Sequence, residues 1–190
     1  MTDSNRTTAI VIGKLVIISV IAALLLGITY IPTQEQLEKN IQAAQEEILQ
    51  ELIPDAQEFE PVEGTQAVGE DGQRDILYYR ALDESGNVVA YAFFHEQTGY
   101  GGPIMVAGAV DSSFSNVLGM DIIRHEETPG LGAKITTNDF RSQFQGVPVS
   151  ELDLSRDGGS IDAITGATVS SRAVVNAMDS KIEEIEDTEA

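Results

Sequence analysis

Residues 75–94 read DILYYRALDESGNVVAYAFF and predict a β-hairpin. Two runs rich in aromatic and β-branched residues flank Asp-Glu-Ser-Gly-Asn at 83–87, a composition typical of a hairpin turn. The four strands predicted in the middle of the chain are 75–81, 88–94, 104–110 and 116–124. Successive strands joined by short turns favour a strongly twisted antiparallel sheet.

Two helices are predicted in the part of the chain that follows these strands. The segment 138–144 has the pattern of a short helix capped by Asn138 or Asp139. A longer helix is predicted over 169–185, because apolar residues recur there at helical spacing. Its expected buried face comprises Val169, Ala173, Val174, Ala177, Ile182 and Ile185. The acidic stretch 55–73, rich in Gly and Pro, is predicted as a loop, and the fold class is therefore α+β.

The N-terminal part of the chain has the pattern of a membrane anchor. Residues 9–31 are almost wholly apolar, and Lys14 is the single charge among them. At about 1.5 Å rise per residue such a helix can cross the hydrocarbon core of a bilayer. The positive-inside rule places residues 1–8 in the cytoplasm and the rest of the chain outside. A cleaved signal peptide or a buried core helix is the alternative, although no A-x-A cleavage site follows the apolar run.

The remaining boundaries follow from local signals. A capping box at Thr33 opens an amphipathic linker helix over 32–54, which Pro54 ends. Its expected packing face comprises Leu37, Ile41, Ala44, Ile48 and Leu52. An extracytoplasmic domain is then expected over 55–182, with residues 183–190 as a solvated acidic tail.

Composition excludes several classes of function. The net charge is -20, and all of the negative excess lies beyond residue 31, which disfavours nucleic acid as a partner. The chain has no cysteine and only two histidines, so thiolate-held clusters and histidine-rich metal sites are excluded. His125 and Glu126 do not form a zinc-protease pattern either, because Pro129 stands where the second histidine is required.

Two motifs carry the chemistry. Asp-Ala-Ile-Thr-Gly-Ala-Thr at 162–168 runs into the predicted C-terminal helix, so Thr168 is expected near a helix N-terminus, where free amides favour a phosphate. Glu-Thr-Pro-Gly-Leu-Gly at 127–132 predicts a compact turn with exposed amides. Gly99-Tyr100-Gly101-Gly102 precedes a strand and allows close backbone approach. Ordinary helix capping, a plain loop and a turn that binds nothing are the structural alternatives.

Together these motifs resemble the FMN-binding family that contains the G-type subunit of the Rnf electron-transport complex. The C-type subunit of the Na+-translocating NADH:quinone reductase shares this kind of site. The resemblance implies FMN bound covalently to Thr168 through a phosphoester, with Glu127 at the position of the family's fixed acid. The cofactor-binding residues it implies are Asp162, Thr165, Gly166, Ala167, Thr168, Val169, Ser170, Ser171, Tyr100, Gly101, Glu127, Thr128, Gly130, Leu131 and Gly132.

The resemblance also implies a function. Such complexes move electrons between reduced ferredoxin and NAD or another acceptor, coupled to sodium or proton transport. The chain would be a single-pass membrane protein that relays electrons within the complex, without acid–base catalysis and without a metal. Its partners would be other membrane and redox subunits, membrane lipid and, during maturation, a flavin transferase. The alternatives are an anchored binding or scaffold domain without covalent flavin, and a domain that binds flavin noncovalently.

Overall fold

The computed structural model describes residues 13–20, 44–67 and 74–190. A five-stranded antiparallel sheet with the order β1-β2-β3-β4-β5 forms its centre, so each strand pairs with its neighbour in the chain. The strands are β1 (Glu58–Ala67), β2 (Arg74–Leu82), β3 (Val88–Thr98), β4 (Pro103–Asp111) and β5 (Val117–His125). The predicted α+β class and the antiparallel sheet are confirmed.

The turn between β2 and β3 is the one predicted from residues 83–87. The Asp83 carboxylate accepts hydrogen bonds from the amides of Ser85 and Asn87, each at 2.8 Å. Gly86 has a φ of 78°, a left-handed conformation that glycine adopts without steric cost. These bonds fix the register in which Tyr79 lies opposite Ala92.

The C-terminal helix (Thr168–Glu189) packs across β3 and β4 on one face of the sheet. Side chains alternate along each strand, so Tyr78, Tyr91 and Phe93 point toward this helix. Tyr79, Ala90 and Ala92 point to the opposite face. There the helical residues 46–52 and the turn after them cover the sheet, with Leu49 and Ile53 buried.

The C-terminal helix continues through the residues predicted as an acidic tail. Ile185 is completely buried, and the Glu189 carboxylate accepts hydrogen bonds from Tyr78 and from Arg80, the latter at 2.8 Å. Burial alone would raise the pKa of Glu189, but these hydrogen bonds outweigh it and hold the pKa below its usual value. The carboxylates of Glu183, Glu184, Glu186 and Asp187 are exposed, as expected for a solvated helix end. Ile185 and Glu189 differ from that expectation, because they find partners on the sheet that are distant in sequence.

The loop predicted over 55–73 is also wrong in part, since β1 occupies Glu58–Ala67. β1 is an edge strand, and it pairs with β2 through a register shift next to Val62. Phe59 packs on one face of the sheet and Val62 on the other. The intervening glutamates and Pro61 obscure this alternation, and such residues are typical of edge strands because they discourage further pairing.

Two smaller expectations need correction. The short helix begins after Thr137, not after Asn138 or Asp139, and spans Asn138–Arg141 before a 3-10 turn at Ser142–Phe144. In the linker helix and the turn that follows it, the buried residues are Leu49 and Ile53, whereas Ile48 and Leu52 lie half-buried at the margin of that face.

Near the N-terminus the structure describes residues 13–20, which are helical with exposed side chains. Within the described ranges, no helix combines the length and apolar character needed to cross a membrane. Most of the span predicted over 9–31, and the capping box at Thr33, lie outside these ranges.

Candidate functional site

A cavity of about 450 Å³ opens where three segments meet at one end of the sheet. The segments are the β3–β4 turn, the loop after β5 and the start of the C-terminal helix. Ligand pockets commonly have volumes of roughly 300–1,000 Å³, so this cavity is large enough for a small molecule. It is lined by Tyr100, Glu127, Thr128, Leu131, Gly132, Gly166, Ala167, Thr168, Val169 and Ser170.

Thr168 is the first residue of the C-terminal helix, as the sequence predicts. The helix has no side-chain cap at Ala167, and its first i to i−4 backbone bond runs from the Ser171 amide to the Ala167 carbonyl at 3.0 Å. The amides of residues 168–170 therefore precede the hydrogen-bonded ladder of the helix, and their positive dipole ends favour an anion. Gly166, which lies two residues before the helix, has a φ of 82°, a left-handed conformation.

Glu127 is a buried carboxylate beneath the cavity, with 5% of its surface exposed. One carboxylate oxygen accepts hydrogen bonds from the amides of Tyr100 at 2.7 Å and Gly101 at 3.1 Å. The other accepts a hydrogen bond from the Ser170 hydroxyl at 2.7 Å. Glu127 is the one charged side chain among the described residues that line the cavity.

The rim of the cavity is unusually apolar for an exposed surface. Tyr100 is 76% exposed, Val169 54% and Leu131 47%. Val169 was expected on the buried face of the helix, and that expectation is wrong: Val169 lies at the cavity, whereas Ser170 and Ser171 are the buried residues of the first turn. An apolar rim around a polar floor suits a ligand with a flat ring and an anionic end.

Five of the residues expected to bind the cofactor lie outside the cavity lining: Asp162, Thr165, Ser171, Gly101 and Gly130. Ser171 is completely buried, and its hydroxyl bonds the Ala167 carbonyl and the Ile164 amide, both at 3.0 Å. Asp162 accepts a hydrogen bond from Ser155 at 2.7 Å. Ser171 and Asp162 thus hold the 162–168 loop in place and do not present free groups to the cavity.

Gly99 is a residue that the sequence motifs did not assign to the site. A Cβ built on Gly99 would lie 2.1 Å from Oε1 of Glu127 and 2.6 Å from Cδ1 of Ile104. Three glycines within residues 99–102 were visible in the sequence as a signal of close backbone approach. The buried carboxylate that requires this approach could be located only in the folded chain.

The part of the chain that forms the cavity matches a known class of protein domain. A family model described as an FMN-binding domain matches residues 99–183, which include all three segments of the cavity. A solved structure of the C-type subunit of the Na+-translocating NADH-quinone reductase from Parabacteroides distasonis is similar at 23% identity, with a TM-score of 0.48 over 67% of this chain and 74% of that chain.

Two relatives match nearly the whole chain. The G-type subunit of the ion-translocating oxidoreductase complex of Methanosarcina acetivorans is 44% identical over 96% of this chain and 96% of that protein. The G-type subunit of the proton-translocating ferredoxin:NAD(+) oxidoreductase complex of Clostridium ljungdahlii is 28% identical over 96% of this chain and 94% of that protein. The chain belongs to the family of G-type subunits of ion-translocating oxidoreductase complexes.

Proposed function

We propose that this chain is an electron-transfer subunit of a membrane-bound ion-translocating oxidoreductase, with FMN attached through its phosphate to Thr168. The observation that carries the proposal is the place of Thr168, which is the first residue of a helix without a side-chain cap and lines the cavity. The G-type relatives and the FMN-binding family model support the electron-transfer role.

The residues of the cavity fit FMN. The amides of residues 168–170 and the helix dipole provide a site for the phosphate at the point of attachment. Leu131 and Val169 offer apolar contacts for a flavin ring, and the exposed Tyr100 also lines the cavity. Thr128 adds a hydroxyl group, and Gly166 leaves room for close backbone contact, since a Cβ there would meet only Leu131 at 3.4 Å. The cavity therefore combines an anion site with an apolar slot.

Attachment requires a simple exchange of bonds. The Thr168 hydroxyl oxygen would bond to the phosphorus of the FMN moiety of a flavin dinucleotide donor. The P–O bond between that phosphorus and the second phosphate of the donor would break, the nucleoside monophosphate would leave with the electron pair, and the transferase would accept the hydroxyl proton. A flavin transferase would supply this chemistry, because Glu127, the one carboxylate among the described residues that line the cavity, already accepts hydrogen bonds through both of its oxygens. Thr168 is half-buried at the cavity, so the enzyme can approach it from solvent.

FMN, when bound, can exchange one or two electrons with redox partners. The protein's own contribution is to hold, orient and electrostatically tune the cofactor. Tyr100, Leu131 and Val169 would limit the access of water to the ring. The partly exposed cavity leaves an edge through which electrons can pass to another protein of the complex.

The proposal includes the topology predicted from the sequence. Residues 9–31 would anchor the chain in the lipid bilayer, with 1–8 in the cytoplasm and 32–54 as the linker helix. The domain over 55–182, together with the rest of the C-terminal helix, would lie on the extracytoplasmic side. Other membrane and redox subunits of the complex would be its partners.

The test is the intact mass of the denatured chain, produced in a host with an active flavin transferase. Wild type should gain the mass of FMN minus water. Thr168→Ala should gain nothing, and Thr188→Ala, which alters an exposed threonine near the far end of the same helix, should be loaded like wild type. An unmodified wild type beside a loaded control protein would refute the covalent attachment. Yellow colour released by denaturation would then indicate noncovalent flavin, and a colourless protein would indicate a scaffold domain.

A further inference from the structure

We infer that Glu127 is a positioning residue for the flavin: its buried carboxylate fixes two walls of the cavity, and its negative charge makes electron uptake less favourable. The inference rests on the proposed function, because it takes the cavity beside Thr168 to be the flavin site. The resemblance places an acid at this position, whereas the hydrogen bonds of this chain define what the acid does.

The carboxylate joins segments that are far apart in sequence. Oε1 accepts hydrogen bonds from the amides of Tyr100 and Gly101 in the β3–β4 turn. Oε2 accepts the hydroxyl hydrogen of Ser170 in the first turn of the C-terminal helix, at 2.7 Å. Tyr100 and the helix start both line the cavity, so one side chain ties together two of the segments that form it.

The surrounding backbone leaves space for this carboxylate and little more. A Cβ on Gly99 would lie 2.1 Å from Oε1 of Glu127, and a Cβ on Gly132 would lie 2.2 Å from Oε2. These glycines belong to different loops, and a side chain at either position would displace the carboxylate. The Glu127 amide is also fixed, since it donates a hydrogen bond to Nδ1 of His125 at 3.1 Å.

Both carboxylate oxygens thus bond to the protein itself. Glu127 therefore acts on a flavin through the position of Tyr100 and of the helix start. The negative charge of Glu127 acts on the flavin directly. Glu127 lies at the cavity with 5% of its surface exposed, so water screens this charge poorly. Electron uptake adds negative charge to the flavin, and a carboxylate close by opposes that addition.

Two substitutions of Glu127 separate position from charge. Glu127→Gln removes the charge but keeps an oxygen that can accept from the Tyr100 and Gly101 amides, while its NH2 group can donate to the Ser170 oxygen. Glu127→Ala removes both the negative charge and the side-chain hydrogen bonds. Glu126→Gln is the matched control, because it makes the same change of charge at the adjacent, exposed position.

The first measurement is amide hydrogen exchange at Tyr100 and Gly101 in the flavin-free full-length chain in detergent. Glu127→Ala should accelerate exchange at both amides by about tenfold or more, because a hydrogen bond to a charged group is lost. Glu127→Gln should restore most of the protection, and Glu126→Gln should leave it unchanged. Unchanged exchange in Glu127→Ala would overturn the positioning role. Circular dichroism melting shows whether Glu127→Ala has folded. If Glu127→Ala has not folded, the comparison of Glu127→Gln with wild type is used in its place.

The second measurement is the flavin midpoint potential in the loaded full-length chain. Glu127→Gln should raise it clearly, and Glu126→Gln should raise it much less because solvent screens the exposed carboxylate. Equal shifts in the two variants would overturn the inference while the proposed function stands. A wild type without flavin, beside a loaded control protein, would instead refute the proposed function and the electrostatic role together.

Discussion

Replacing Gly108 with alanine tests whether the C-terminal helix is packed as tightly on the sheet as the structure indicates. Gly108 lies in β4 opposite Phe93 of β3. A Cβ at this position would lie 2.5 Å from Cζ of Phe93 and 2.5 Å from Sδ of Met178. Both neighbours are completely buried, so neither can move toward solvent to make room. The close packing of the C-terminal helix on the sheet therefore requires a glycine at position 108.

The expected loss of stability follows from two opposing terms. Overpacking a core typically costs about 1–3 kcal/mol. The lower backbone entropy of alanine in the unfolded chain offsets about 0.5–1 kcal/mol of this cost. Gly108→Ala should thus lower the free energy of unfolding by roughly 0.5–2 kcal/mol, or the melting temperature by roughly 2–6 °C for a domain of this size.

The assay is thermal unfolding of the full-length chain in detergent, followed by circular dichroism. Gly64→Ala in β1 is the matched control, because its Cβ would have its nearest neighbours at 3.6 Å, an ordinary contact distance. That variant should melt at or slightly above the wild-type temperature. Met178→Ala should cost less in the Gly108→Ala background than in wild type, since it removes one of the two clashes.

A Gly108→Ala variant that melted at the wild-type temperature would refute the tight packing of the helix on the sheet. Equal destabilisation of Gly64→Ala would refute it too, because the effect would then come from alanine in a strand and not from the helix contact. An additive double variant would show that Met178 does not meet the new methyl group.

Two further predictions concern the far end of the C-terminal helix. Burial, with the hydrogen bond and charge of Glu189, raises the pKa of Tyr78 from 10.0 to about 12, so stability that is present below about pH 10 should decline between about pH 10 and pH 12. Tyr78→Phe should make this alkaline decline shallower in unfolding experiments across that range, and an unchanged slope would contradict the assignment. Deleting residues 183–190 should destabilise the domain by more than about 2 kcal/mol, because it removes the buried Ile185 and the Glu189 hydrogen bonds. Denaturant unfolding measures this loss, and a truncated chain as stable as wild type would restore the interpretation of 183–190 as a solvated tail.

The sequence by itself determined the local features of the structure, which depend on residues close together in the chain. The 83–87 turn and the flanking apolar runs specified the β2–β3 hairpin, because turn chemistry and strand alternation are local properties. The change from the glycine-containing 162–168 loop to helical spacing placed Thr168 at a helix start. All ten residues that line the cavity were also among those predicted for the site.

Tertiary structure decided what depends on contacts between distant segments. β1 is a strand because β2 pairs with it, although its glutamates and Pro61 indicate a loop by themselves. The residues 183–189 are helical because Ile185 and Glu189 find partners on the sheet. Ser171 and Glu127 belong to the cavity's framework for the same reason. A buried hydroxyl or carboxylate must bond to whatever donors and acceptors the fold brings to it, and sequence spacing alone does not specify those partners.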